Sequence, residues 1–226
     1  LQTDVASSKS FKRGNMQIIN PSAPVKYVEL TLLFVILPLV LAFNPLLGLS
    51  LGLVACALLY VLWISKAMWG KNRWRNLPSA IRAGFSFRAT TGKKVIGRFA
   101  IMFGLFIIGS SAFVYFNRPD DLFHVIINNG LLWFAISIFY SVFSVLPQEF
   151  LYRTFFIERY NSLFPNHALM IVVNAVVFCL AHVMFFNQLV LILTFCGGLL
   201  FSYTYLKTRS FLIVSIEHCF YGVWLY

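Results

Sequence analysis

Long uncharged stretches divide the chain into segments that are able to cross a membrane. Residues 30–65 contain no Asp, Glu, Lys or Arg over 36 positions, and residues 160–206 contain none over 47 positions. A membrane-spanning helix needs about 20 mostly apolar residues, so each of these stretches has room for two helices. Shorter charge-poor runs elsewhere in the chain have room for one helix each.

Breaks in the apolar pattern set the predicted helix boundaries. Asn44-Pro45 predicts a turn inside the first stretch, and Phe186-Asn187-Gln188 predicts a break inside the second. The pattern predicts an all-α, polytopic transmembrane bundle of about seven to eight helices. A polar leader at 1–25 is expected to precede a single helical membrane domain at 26–226. The predicted spans are 27–43, 46–65, 99–116, 124–146, two within 160–206, and 210–226. An alternative for the fourth span is a single long or broken helix over residues 124–160.

The composition excludes a soluble protein. Of the 226 residues, 60% are hydrophobic and 11% are charged. A soluble domain carries roughly 25% charged residues. This chain therefore has too few charges to cover a globule in water, and an integral membrane protein is the class that remains.

The positive charge is concentrated in one part of the chain. Lys and Arg outnumber Asp and Glu by 18 to 7, and nine of the 18 lie between Lys66 and Arg98, with no acid among them. Cytoplasmic loops of membrane proteins carry such an excess of positive charge. We therefore predict a multi-pass membrane protein with this loop and the N-terminus in the cytoplasm. Membrane lipids, rather than nucleic acid, are the expected partners of the basic residues.

A few ionisable residues lie inside the apolar segments, where they are costly and usually functional. In Pro147-Gln148-Glu149-Phe150-Leu151-Tyr152-Arg153, the proline suits the start of a helix. Glu149 and Arg153 are then four residues apart on one face, with the acid N-terminal to the base. A structural ion pair is the plain interpretation. Glu29 lies near the end of a span, where a charge is expected to cost little.

Two histidines in other predicted helices raise a catalytic hypothesis. His182 follows Phe178 by four residues, and His218 follows Glu217 directly. If both histidines converge on Glu149, they form a site that can activate water: Glu149 takes the proton, His182 positions the water and His218 donates to the oxyanion. The same three residues include zinc-ligand types, but no HExxH helix is present and Arg153 would repel a dication.

Together these motifs resemble the CPBP family of CAAX prenyl endopeptidases and bacteriocin-processing proteins, also called the ABI family. The family pattern is EExxxR, then FxxxH, then HxxxN or HxxxB, and the resemblance covers residues 130–226. It implies an intramembrane glutamate-dependent endopeptidase of a bacterial plasma membrane. The implied substrate is a hydrophobic or lipidated peptide, and neither a cofactor nor a metal is expected. The implied catalytic residues are Gln148, Glu149, Arg153, His182 and His218.

The chain departs from the family pattern at two positions. Gln148 stands where the first glutamate is usual, and a glutamine cannot accept a proton from water near neutral pH. Gly222 stands where asparagine is common, so an amide donor is missing. Three interpretations stay open: Glu149 is the base while Gln148 holds the water, Glu217 supplies a second carboxylate, or the chain is an inactive scaffold or immunity-type binding protein. A transporter is a further alternative, although no repeated halves are present.

Overall fold

The structure is a computed structural model that describes residues 21–44, 46–75 and 89–225. Three parts of the predictions lie outside these ranges: residues 1–20 of the predicted leader, Pro45 of the predicted turn, and residues 76–88 of the basic loop. Within the described ranges the regular structure is helical, without a strand. The helices are α1 (Ala23–Phe43), α2 (Leu47–Arg75), α3 (Ala89–Asn117), α4 (His124–Asn128), α5 (Gly130–Leu163), α6 (His167–Leu180), α7 (Gln188–Thr208) and α8 (Phe211–Trp224).

Five of the described helices are long and apolar enough to cross a membrane, namely α1, α3, α5, α6 with its following turn, and α7. The predicted all-α membrane class is therefore confirmed, while the predicted count of seven to eight spans is not. The break predicted near Phe186 is also confirmed, since a short 3-10 turn ends at Phe185 and α7 begins at Gln188. The helix α8, with 14 residues, is short for a full crossing.

Two predicted boundaries are wrong. The span predicted at 124–146 is replaced by the short α4 and by α5, which continues through Pro147 to Leu163, in agreement with the alternative of a long or broken helix over 124–160. Residue 147 therefore does not begin a helix. The span predicted at 99–116 belongs to a helix that already includes Ala89, so Arg98 is helical. Pro147 was taken as the start of a new helix, although α5 continues past it, and Arg98 was taken as the end of a loop, although its charge is paired inside the protein.

The backbone of α5 adapts to its proline through a wider turn. Proline has no N–H and its ring crowds the carbonyl four residues earlier, which disrupts an α-helix. A π-helical turn at Ser141–Val145 precedes Pro147, and a second one at Phe150–Phe155 follows Glu149. The helix α1 has the same arrangement, with a π turn at Leu32–Ile36 before Pro38. Such turns keep a helix continuous past a proline and are frequent at functional sites.

Polar side chains cap the helices at their first turns. The Oδ1 atom of Asn129 accepts a hydrogen bond from the backbone N–H of Leu132 at the start of α5. Asn166 caps α6 and Ser210 caps α8 in the same manner. Each cap satisfies a backbone donor that has no partner within its own helix. The caps therefore fix where these membrane helices begin.

The burial pattern is the reverse of that in a soluble protein. Glu149 and Arg153 have no exposed surface, whereas Leu131 in the same helix is 80% exposed. Large exposed apolar patches on a soluble protein mark interaction surfaces. Here apolar side chains along most of the helices are exposed, as a lipid environment requires. The chain is therefore an integral membrane protein.

The described residues form two compact units. The first lies within Leu1–Leu77 and Phe155–Leu199, and the second within Pro78–Thr154 and Leu200–Tyr226. The first unit is packed around Phe34, whose ring meets those of Phe156 and Tyr160 edge to face, with centroids 5.2 and 5.9 Å away. The predicted single membrane domain at 26–226 stays a prediction.

In the second unit, aromatic rings pack α3 against α8. The Phe103 ring lies edge to face with those of Phe220, Tyr221 and Trp224, at centroid distances of 5.6, 5.3 and 6.5 Å. The indole N–H of Trp224 also donates to the Ser110 hydroxyl over 2.9 Å. Aromatic pairs in this geometry contribute stability beyond their buried area. These contacts fix the C-terminal end of α8 in this unit.

Replacing Gly198 with alanine is expected to destabilise the protein by about 1–3 kcal/mol, as overpacked interiors do. A Cβ at this position would lie 2.7 Å from the Cα of Ala175, which is backbone and cannot move aside. Thermal unfolding in detergent measures the effect. The control is Gly104→Ala, because a Cβ at Gly104 meets nothing within 4 Å. Equal melting temperatures for the two variants would contradict the close packing of α6 and α7.

Candidate functional site

The candidate site is built on a buried carboxylate in the middle of α5. Glu149 follows Pro147 by two residues and lies between the two π turns of the helix. Its side chain has no exposed surface. A charged group without water needs partners within the protein. Two such partners are present in the second unit.

Arg153 and His218 hold the two oxygens of this carboxylate. The Nε atom of Arg153 lies 3.3 Å from Oε2 of Glu149, and the Nδ1 atom of His218 lies 2.8 Å from Oε1. The guanidinium has no exposed surface either, and it lies against the Phe201 ring at 5.6 Å. The predicted pairing of Glu149 with Arg153 is confirmed. Glu149 also contacts His218, one of the two histidines whose convergence the catalytic hypothesis requires.

The imidazole of His218 is fixed on three sides. Its Nδ1 atom faces Glu149, and its Nε2 atom lies 3.2 Å from the hydroxyl oxygen of Tyr140. The Phe201 ring stacks on the imidazole with centroids 4.5 Å apart and planes 23° apart. An ionised carboxylate accepts a hydrogen bond from Nδ1–H, which leaves the Nε2 lone pair directed at the tyrosine hydroxyl. Arg153, Glu149, His218 and Tyr140 therefore form a polar chain inside the second unit.

Gly222 lies beside this chain, where it makes room for Tyr140. A Cβ built at Gly222 would overlap the hydroxyl oxygen and two ring carbons of Tyr140. The second departure from the family pattern is thus accompanied by a tyrosine that fills the adjacent space. No motif in the sequence points to Tyr140, which precedes the motif residues Gln148, Glu149 and Arg153 of α5 and lies in an apolar run.

Gln148, the first departure, is held by a neighbour in its own helix. Its Nε2 atom donates to the Ser144 hydroxyl over 2.9 Å. Its Oε1 atom is buried and has no hydrogen-bond partner among the residues that the structure describes. A glutamine in this position can accept a hydrogen bond from water but cannot take its proton.

Glu217 is paired with an arginine from α3. The Nη2 atom of Arg98 lies 2.9 Å from Oε1 of Glu217 and also donates to the Thr204 hydroxyl. Glu217 is only 4% exposed. The sequence predicted that Arg98 belongs to the basic loop that orients the protein in the membrane. In the structure Arg98 instead pairs with the buried Glu217. This pairing favours a structural role for Glu217 over that of a second catalytic carboxylate.

His182 lies in the first unit, just after the end of α6. Its Nδ1 atom is 2.8 Å from the Phe178 carbonyl oxygen, and its ring packs between those of Phe178 and Phe185. Its predicted role in positioning water stays a prediction. Among the described residues, no group of three or more His, Cys, Asp or Glu side chains could hold a metal ion.

A second buried ionic cluster, in the first unit, was missed by the sequence analysis. Glu29 accepts two hydrogen bonds from Arg159, over 2.9 and 2.7 Å, and one each from the hydroxyls of Tyr60 and Tyr160, over 2.9 and 2.8 Å. Glu29 is 8% exposed. The expectation that it lies at little cost near a span end is wrong, because it is the centre of a charge network that ties α1 to α5. Nearby, Lys26 donates to Ser162 over 2.9 Å.

Fold and site together define a helical membrane protein with a buried glutamate–histidine pair supported by an arginine. Residues 129–224 match a family model described as "Type II CAAX prenyl endopeptidase Rce1-like". This match confirms, for that part of the chain, the resemblance to the CPBP family, which is a family of proteases. No curated protein and no solved structure matches the chain.

Proposed function

We propose that the protein is an intramembrane endopeptidase that hydrolyses a peptide bond near the C-terminus of a hydrophobic or prenylated membrane-bound peptide. The match of residues 129–224 to the Rce1-like family supports this activity at the coarse level of a protease. The observation that carries the proposal is the 2.8 Å contact between Glu149 Oε1 and His218 Nδ1 inside the protein. The bond pairs a carboxylate with the side chain best suited to proton transfer near neutral pH.

In the proposed mechanism, Glu149 orients His218 and the imidazole moves the proton. A water molecule bound at Nε2 attacks the carbonyl carbon of the scissile bond, and its proton passes to Nε2. The carbonyl oxygen becomes an oxyanion, while the buried carboxylate stabilises the new imidazolium. His218 then returns the proton to the amide nitrogen and the C–N bond breaks, releasing an amine and an acid. This mechanism gives His218 the proton transfer that the sequence hypothesis assigned to Glu149.

The substitution of Gln148 for the first glutamate also supports a second candidate function. A scaffold or immunity-type binding protein would need Glu149, Arg153 and His218 only for folding. The ion pair of Glu149 with Arg153 and its contact with His218 fit that role as well. Hydrolysis separates the two candidates, because a scaffold does not turn over a peptide.

Location and orientation are part of the proposal. Under the positive-inside rule, the basic residues between Lys66 and Arg98 support a cytoplasmic N-terminus. The proposed membrane is a bacterial plasma membrane, as the family resemblance implies. Membrane lipids are the proposed partners of the exposed apolar helix surfaces. The substrate peptide is proposed to reach the site from the membrane.

The proposed function is tested with purified protein reconstituted in lipid vesicles. Two peptides of identical sequence ending in a CAAX motif are supplied, one with a farnesyl group on the cysteine and one without. Mass spectrometry of the released fragments locates the cleaved bond. Cleavage of the farnesylated peptide is expected, with slower cleavage of the bare peptide. Failure to cleave either peptide, by a protein that unfolds cooperatively on heating, would favour the scaffold.

A further inference from the structure

A tyrosine hydroxyl lies at the end of the Glu149–His218 pair where the reaction is proposed to occur. The oxygen of Tyr140 is 3.2 Å from Nε2 of His218, the atom to which the proposed function assigns proton transfer. The proposed mechanism does not use this hydroxyl. Within the second unit, His218 connects it to the buried carboxylate.

The placement of Tyr140 depends on a missing side chain in α8. A Cβ added at Gly222 would meet the hydroxyl oxygen, Cε1 and Cζ of Tyr140. The tyrosine ring therefore occupies the space that a side chain at position 222 would need. The ring also lies edge on to the imidazole, with centroids 6.3 Å apart and planes 80° apart. Tyr140 and Gly222 therefore act as a complementary pair that sets the hydroxyl beside His218.

We propose that Tyr140 is a catalytic residue whose hydroxyl donates a hydrogen bond to the oxyanion formed on the scissile carbonyl. This inference rests on the proposed function. A water molecule held at Nε2 lies roughly 3 Å from it and from the carbonyl carbon that it attacks. The carbonyl oxygen then comes within reach of a hydroxyl that adjoins Nε2.

A tyrosine is chemically suited to this role. Its O–H is a neutral donor, and it rotates about the C–O bond to change acceptor without movement of the ring. In the resting protein it donates to Nε2. When water occupies Nε2 and negative charge develops on the substrate, the hydroxyl turns to that charge. Donors set in advance in a site with little water stabilise an oxyanion strongly.

The test compares the parent protein with Tyr140→Phe, using the farnesylated peptide in vesicles. This substitution removes one oxygen and keeps the ring that packs beside Gly222. A loss of about 10²-fold in kcat is expected, with KM nearly unchanged, as for the removal of one oxyanion donor. Tyr115→Phe is the matched control, because Tyr115 is 61% exposed. It is expected to retain the kcat of the parent.

A peptide aldehyde provides a second measurement. Its hydrate resembles the tetrahedral intermediate, so Tyr140→Phe should weaken aldehyde inhibition by about the factor lost in kcat. If Tyr140 had only a structural role, its substitution would not weaken aldehyde inhibition and lower kcat by the same factor while KM stayed constant. If Tyr140→Phe does not fold, 3-fluorotyrosine at position 140 keeps the ring and the hydroxyl but changes donor strength, and kcat is expected to change with it.

The outcomes separate this inference from the proposed function. Hydrolysis by the parent together with an unchanged kcat in Tyr140→Phe, or in the fluorotyrosine protein, overturns the role of Tyr140 and leaves the peptidase intact. A parent that hydrolyses no peptide overturns both. A selective loss of kcat and of aldehyde inhibition supports the inference.

Discussion

Replacing Glu149 with glutamine should reduce kcat on the farnesylated peptide by on the order of 10³-fold or more. The carboxylate fixes the imidazole of His218 through Nδ1 and stabilises the imidazolium that forms when Nε2 accepts a proton. Substitution of the aspartate that plays this part in serine proteases lowers kcat about 10⁴-fold. The glutamine side chain also directs its amide N–H at either Arg153 or Nδ1–H of His218. Two hydrogen-bond donors then face each other, which is unfavourable.

The same substitution elsewhere in α5 provides the control for this experiment. Glu158→Gln removes a carboxylate of the same helix that lies outside the site, and it is expected to leave kcat close to that of the parent. Vesicle assays should show a large loss of kcat for Glu149→Gln and for His218→Gln. Glu158→Gln should keep a kcat close to that of the parent. Parental turnover by Glu149→Gln would contradict the mechanism, whereas a scaffold should tolerate this change.

Removing Arg159 should destabilise the protein by about 3–5 kcal/mol, the range for breaking one partner of a buried ion pair. The Arg159→Leu variant leaves the buried Glu29 carboxylate with two tyrosine hydroxyls and the charge of nearby Lys26, but without its two guanidinium hydrogen bonds. The loss is therefore mainly the cost of a buried carboxylate whose closest charged partner has been removed. Thermal or denaturant unfolding in detergent measures it.

A double variant distinguishes charge from packing in this cluster. Glu29→Gln combined with Arg159→Leu removes both charges and is expected to recover most of the lost stability, because replacement of a whole buried pair is often nearly neutral. Lys94→Leu, which removes an exposed cation, is expected to change little. Equal destabilisation by the single and double variants would show that the contribution comes from packing.

The class of fold could be predicted from the sequence because lipid imposes a simple pattern. A spanning helix has to satisfy its backbone internally and present apolar side chains outward, so length and the absence of charge suffice to find it. The break before Gln188 was found in this way. Glu149, Arg153 and His218 were found because ionisable groups in such segments are rare.

The rest depended on pairings over long distances in the sequence. Arg98 and Glu217 are 119 positions apart, and Glu29 and Arg159 are 130 apart. No local pattern identifies these partners, so Arg98 was assigned to a loop, Glu29 to a span end and Glu217 to a possible catalytic role. The boundary of α3 was wrong for the same reason, since a charge with a buried partner does not end a membrane helix. The boundary in α5 was wrong because π turns let that helix continue past Pro147.

The π turn before Pro147 changes which residues of α5 share a face. Tyr140 and Glu149 are nine positions apart, and at about 100° per residue an α-helix would place them on opposite sides. The π turn at Ser141–Val145 lies between them and adds about one residue to the winding. The angular offset falls to roughly 80–90°, and both side chains reach the imidazole of His218 from a single helix. Deletion of one residue within Ser141–Val145 would rewind the segment and turn one of the two away from the histidine.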